Sequence, residues 1–306
     1  MMIRMLFRCA VYIVLLGAMG WGGTSVVAPA SAEIEVIDAE PQLYVIVMGD
    51  NKPKALPGLG GPEADAQAMA AFFRKQSNLA EDGLKVLLHE NLVREKVIGT
   101  LVEVARRSKP KDLVVIYHSG YINFDAKTGR GGLVMNDAKL NRNGSVVADN
   151  KTGLFSRDDL LASLERFSNR RFLFVTDSSL SPSFFDNIPP DREWLALLAS
   201  DEQEAVEREF DGQARGVFTY VLERAFYGDG FAKPKKEITP LQAFDGALAL
   251  IGKHSSQRPI WCGQVQSPMK TWAFKVPPRE AGVEPRQADS AVEAAVDDEG
   301  ASDDKD

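Results

Sequence analysis

The sequence predicts an α/β fold, a three-layer α/β/α sandwich around a mostly parallel six-stranded sheet. Two observations carry this expectation. Short continuous apolar runs, 43–49 (LYVIVMG), 112–117 (DLVVIY) and 171–176 (RFLFVT), have the pattern of strands buried on both faces. Between them lie segments with apolar residues at helical spacing, and such alternation implies parallel strands joined by right-handed helical crossovers.

The elements follow in order. Residues 63–76 place Ala66, Met69, Phe72 and Phe73 on one helical face. Gly83 precedes a second strand, LKVLLHE. Residues 92–107 form a helix with Val93, Val97, Leu101 and Val104 on its apolar side. A long polar stretch, Ser119 to Leu154, suggests a functional loop with a small hairpin around Leu133–Met135 and Ser145–Val147. Ser156 caps a helix with Asp159 three residues on. Residues 194–200 form a fifth strand and 214–227 a helix. Residues 239–252 form another, with Thr239 as N-cap and Pro240 behind it. A last strand falls within 258–275.

The 306 residues divide into three parts. Residues 1–32 read as an export signal: Arg4 and Arg8, an apolar run from Cys9 to Trp21, and the small-residue site Ala30-Ser31-Ala32. An uncleaved anchor is the other reading of that segment. Residues 33–276 are the globular body. Residues 277–306 hold ten acids and three bases without an aromatic residue, the composition of a disordered acidic tail. The formal net charge of −7 is that tail's, because the signal's two arginines offset a body of −2. The expected location is therefore periplasmic or secreted. A nearly neutral body with an acidic tail lacks the clustered positive footprint of a nucleic-acid binder.

Ligands in parallel α/β sheets bind beyond the carboxyl ends of the strands. The loops leaving those ends after strands three and four read Tyr117-His118-Ser119-Gly120-Tyr121 and Thr176-Asp177-Ser178-Ser179-Leu180. In this order and setting they resemble the caspase-like cysteine peptidases, peptidase family C14, and within it the metacaspase and orthocaspase branch. The resemblance extends to YVIVMGDN, to the helix beginning with Asp65-Ala66, to the block from Leu198 to Gly228, and to Gln257-Arg258-Pro259. It implies a caspase-like sandwich over nearly the whole body.

The departures from the family pattern fall on its chemistry. The family's Ser-Gly-His becomes Ser119-Gly120-Tyr121, and its Asp-Ser-Cys becomes Asp177-Ser178-Ser179. Both catalytic positions are replaced. A serine hydroxyl needs a general base, and a phenol with a reference pKa near ~10 is a poor one at neutral pH. No catalytic residues are therefore expected, and the chain reads as a pseudoprotease that binds a peptide or protein through the former cleft. The expected binding residues are Asp177, Tyr121, Ser119 and Gly120. Asp177 matches the family aspartate that helps receive a basic side chain, so a basic partner is implied. Capping of strand-end backbone groups is its alternative role.

The other reading is a hydrolase that uses Ser179 with an unrecognised base such as His118 and cleaves after basic residues. His118 otherwise reads as a partly buried strand-end histidine, and His89 and His254 as surface residues. Cys262, the one cysteine of the mature chain, reads as a buried inert thiol. Phe184 and Phe185 read as core. No cofactor and no metal are expected: Asp50, Asp65, Asp125, Asp137 and Asp177 are scattered and no histidine pair has ligand spacing. Calcium is implied only by the family resemblance.

Overall fold

The computed structural model describes residues 40–144, 146–147, 153–200, 204–266 and 272–278. The export signal and nearly all of the acidic tail lie outside the described residues.

Six strands form the central sheet: β1 (Leu43–Gly49), β2 (Leu79–Leu88), β3 (Leu113–Ser119), β4 (Arg171–Ser179), β5 (Glu193–Ser200) and β6 (Ile260–Gln264). Their spatial order is β6-β5-β4-β3-β1-β2. Every pairing is parallel except β5 with β6. The apolar runs become central strands because both faces are covered: β1 and β3 are buried at every residue.

Helices α1 (Pro62–Arg74), α4 (Val217–Phe226) and α5 (Pro240–Ile251) cover one face. Their core holds Val45, Val115, Phe72, Phe73, Phe218 and Phe226. Helices α2 (Arg94–Arg107) and α3 (Arg157–Leu164) cover the other over Ile46, Ile116, Leu101, Phe172 and Phe174. Alternate residues of each strand serve the two cores, as the period of two requires. The capping boxes at Ser156–Asp159 and Thr239–Gln242 are both formed. Arg94 pairs with the same Asp159, joining α2 to α3. Among the described residues no helix is long and apolar enough to cross a membrane.

The described parts of the long polar stretch hold more regular structure than its composition suggests. Strands Ile122–Asp125, Arg130–Val134 and Leu154–Ser156 form a small antiparallel sheet. The expected hairpin partner near residue 146 makes only an isolated bridge to Leu140. A second departure precedes α4, which starts at Val217 and not at 214. The residues before it belong to a hairpin, Glu207–Phe210 paired with Gln213–Gly216. Its two-residue turn is Asp211-Gly212, both at positive φ, as a type I′ hairpin turn requires.

The order of the strands reverses between β1 and β3, which places a crevice at the carboxyl ends there. The loop 50–61, the end of β3, the end of β4 and the extra hairpin all meet at that edge.

Candidate functional site: an acid-lined cleft at the strand ends

A cavity of about 400 Å³ opens at this edge. Ser119, Gly120 and Tyr121 line it from the end of β3, and Asp177, Ser178 and Ser179 from the end of β4. Leu59 and Pro62 close one side, and Glu204 to Glu207 and Gly216 the other. All four residues expected to bind ligand are thus brought to one cleft, and Tyr121 and Ser179 share it. No histidine and no cysteine lines it among the described residues.

The loop geometry follows from local chemistry. Gly120 takes φ of 148°, a conformation rarely open to other residues, and turns the chain out of β3. The Ser178 hydroxyl donates to the Gly120 carbonyl at 2.6 Å and so ties the two loops together. Tyr121 is half-buried against the small apolar cluster of Val134, Ala138 and Leu154. The Ser179 Oγ accepts the backbone N–H of Ala205 at 2.9 Å.

Asp177 sits beside Ser119 in the β3–β4 register and is 5 % exposed. Its Oδ2 accepts the Thr219 backbone N–H at 2.8 Å, at the amino end of α4. Its Oδ1 is buried and has no hydrogen-bond partner among the described residues. Burial pushes the carboxyl up to about 6; the Thr219 hydrogen bonds lower it and Glu207 raises it.

Behind Asp177 lies Asp65, fully buried in the first turns of α1. Arg215 donates to its Oδ1 at 2.7 Å, and the Gly216 N–H to its Oδ2 at 2.9 Å. Ser119 donates to the same Oδ2 at 3.3 Å. Burial and the neighbouring Asp177 push the Asp65 carboxyl up, and Arg215 and the Gly216 N–H pull it back. Arg215 also reaches Glu223 at 2.9 Å. Glu207 accepts the backbone N–H groups of Gly60 and Gly61, at 2.9 and 3.1 Å, and fixes loop 50–61 to the hairpin.

The caspase-domain family profile matches residues 43–265. The chain belongs to the caspase-domain family. No curated protein matches this caspase domain. Among solved structures, the crystal structure of protein GSU0716 from Geobacter sulfurreducens aligns with a TM-score of 0.52 at 18% identity, over 76% of this chain and 97% of that one. A structure titled pro-sf-caspase-1 aligns at 0.45 and 13% identity, over 74% and 92%. The first likeness is one of fold.

Within this caspase domain, Asp177 and Asp65 were visible in the sequence as family-matching positions. Gly216 lay in the family-matching block from Leu198 to Gly228, but the contacts that Glu207, Arg215 and Gly216 make with loop 50–61 and Asp65 were not visible, although the Asp211-Gly212 dipeptide announces the hairpin that carries them. His118 lies outside the cleft. It is 2 % exposed, not partly buried, and its Nε2 has no hydrogen-bond partner among the described residues. Burial lowers its imidazole to about 4, so it is neutral at pH 7. Cys262 is half-buried, because it sits on the edge strand β6, and its thiol is pushed up to about 11 by burial and Asp186. Phe184 and Phe185 are core, packed on Phe124, Phe174 and Trp194.

Proposed function

We propose that this caspase domain binds peptide segments carrying a lysine or arginine side chain in its cleft and does not hydrolyse them. The observation that carries this reading is the Asp177 carboxylate. It is buried, one oxygen lacks a partner, and Glu204 and Glu207 line the same cavity without a compensating lysine or arginine among the lining residues. An unpaired buried acceptor is costly, and a cationic donor from a ligand removes that cost with a charge-assisted hydrogen bond. Arg215 offsets Asp65 and Glu223 from behind and leaves Asp177 to the cleft.

Catalysis lacks its parts. Ser179 has neither an imidazole beside it in the cleft nor the thiol whose lower pKa lets a cysteine ionise. The domain acts outside the cytoplasm, on the strength of the export signal in residues 1–32, and a basic partner also suits the acidic residues after 278.

The test is fluorescence polarisation with short labelled peptides that differ at one position, Arg, Lys, Ala or Glu. Saturable binding of the Arg and Lys peptides, lost in Asp177→Asn, supports the reading. Rapid wild-type hydrolysis of the same peptides, abolished by Ser179→Ala, overturns it.

A further inference from the structure

Beside the cleft, three ligating side chains converge from three elements. Asp50 follows β1, Glu63 stands in the first turn of α1, and His89 follows β2. One ligand atom of each lies within 4.8 Å of the others. Donors at ~2.0–2.2 Å from a shared metal stand roughly 3–4.4 Å apart, so small shifts of these side chains bring all three onto one ion.

The site is built into the fold. Asp50 is 4 % exposed, with its Oδ1 accepting the Lys52 N–H at 2.9 Å and its Oδ2 the Asn136 Nδ2 at 2.9 Å. Glu63 is fixed by reciprocal bonds with Asn51, at 3.1 and 2.9 Å. His89 takes φ of 50°, a left-handed conformation uncommon outside glycine, and its Nδ1 lies 2.7 Å from Glu63 Oε1. Asn136, itself 5 % exposed, touches Asp50 and has an Oδ1 without a hydrogen-bond partner among the described residues.

We propose that Asp50, Glu63 and His89 bind one divalent first-row transition metal ion, of the Zn2+ or Mn2+ class. Two carboxylates held within 4.8 Å of each other repel, and one of them is buried. A dication between them offsets that repulsion and offers all three groups a shared partner. One imidazole with two carboxylates is a borderline set. It suits zinc or manganese better than calcium, which takes oxygen ligands, or copper(I), which takes soft ones. His89 keeps about half of its side chain exposed, which leaves an entry path and room for water in the remaining positions.

The site is separate from Asp177 and does not depend on the peptide-binding reading. The test is calorimetric titration of tag-free full-length protein with ZnCl2 at pH 7.5. The expected result is one ion per chain and a loss of at least about tenfold in His89→Ala and in Asp50→Asn. His254→Ala and Asp177→Asn leave the affinity unchanged, and Ca2+ in excess does not displace the zinc. Because Asp50 is buried and its replacement can disturb folding, the half-exposed His89 decides. Absent saturable binding, or undiminished binding in His89→Ala, overturns the proposal, as does displacement by calcium.

Discussion

The Ser179 Oγ accepts the Ala205 backbone N–H across the cleft at 2.9 Å. A serine placed this way holds the 204–206 segment against β4 and is engaged as an acceptor. Among the described residues no histidine lines the cleft beside it. The expected outcome is no covalent labelling by a fluorophosphonate probe and no peptide turnover. Ser179→Ala should lower stability by about 1 kcal/mol, through loss of one partly buried hydrogen bond. Chemical denaturation checks the second value. The double variant Tyr121→His/Ser179→Cys puts an imidazole and a thiol at two positions that share the cavity, and hydrolysis of Arg-containing peptides should then appear above the wild-type level.

Arg215 and Asp65 form the buried ion pair behind the cleft, with side chains 11 % and 0 % exposed. Removing the cation strands a buried carboxylate, which costs far more than the pair contributes net. Arg215→Ala should therefore destabilise the domain by roughly 3–5 kcal/mol. Asp65→Asn in the same chain should recover a large part of that loss, since an amide needs no counter-ion. A double-mutant cycle from urea unfolding measures the coupling, and simple additivity would contradict the pairing.

The raised carboxyl of Asp177 makes stability depend on pH in an unusual direction. Its folded-state pKa, about 6, lies above the ordinary carboxyl value, so the folded protein holds this proton more tightly than the unfolded chain does. This group's contribution is most favourable below the unfolded value, near pH ~4, and is lost as the pH rises to about 6; above that the penalty is constant. Asp65, also raised, adds to the same trend. Asp177→Asn should then stabilise the domain at pH 8 by on the order of 1–3 kcal/mol relative to wild type, with little gain at pH 4. Melting curves across that range measure it. The same variant should lose peptide affinity, so stability and binding move in opposite directions.

The parts of the fold legible in the sequence were those encoded by short-range pattern. Leu43–Gly49 and Leu113–Ser119 read as strands because every residue faces a core, and Ser156 with Asp159 announced a helix start that the structure forms. Tyr121, Ser179 and Asp177 were legible because strand ends collect functional loops. The rest of the site was not, because it is made by contacts between distant segments. Arg215 meets Asp65 across 150 positions, and Glu207 meets Gly61 across 146. Asp50, Glu63 and His89 share no spacing motif; the parallel register of β1 and β2 brings their ends together. The hairpin was hidden because Ala214, Val217 and Val221 extend the helical pattern of α4 backwards, and only Asp211-Gly212 broke it.

Gly216 tests whether the acidic pair and the cleft are one structure. It stands at the amino end of α4 with φ of −63°, which any residue adopts, so its lack of a side chain is a matter of space. A Cβ there would lie 2.1 Å from Asp177 Oδ2 and 2.8 Å from Asp65 Oδ2. Both carboxylates are anchored by backbone N–H groups of this same segment, Thr219 and Gly216, so neither can move without losing a bond. Gly216→Ala should cost about 1–3 kcal/mol by overpacking, and alanine is also the poorer residue at this N-cap position. It should also abolish binding of Arg-containing peptides by displacing Asp177. Calorimetric melting and polarisation on the same preparation separate the two effects. A variant as stable as wild type that still binds would show that the close approach of Gly216 to the two aspartates is not needed for the cleft.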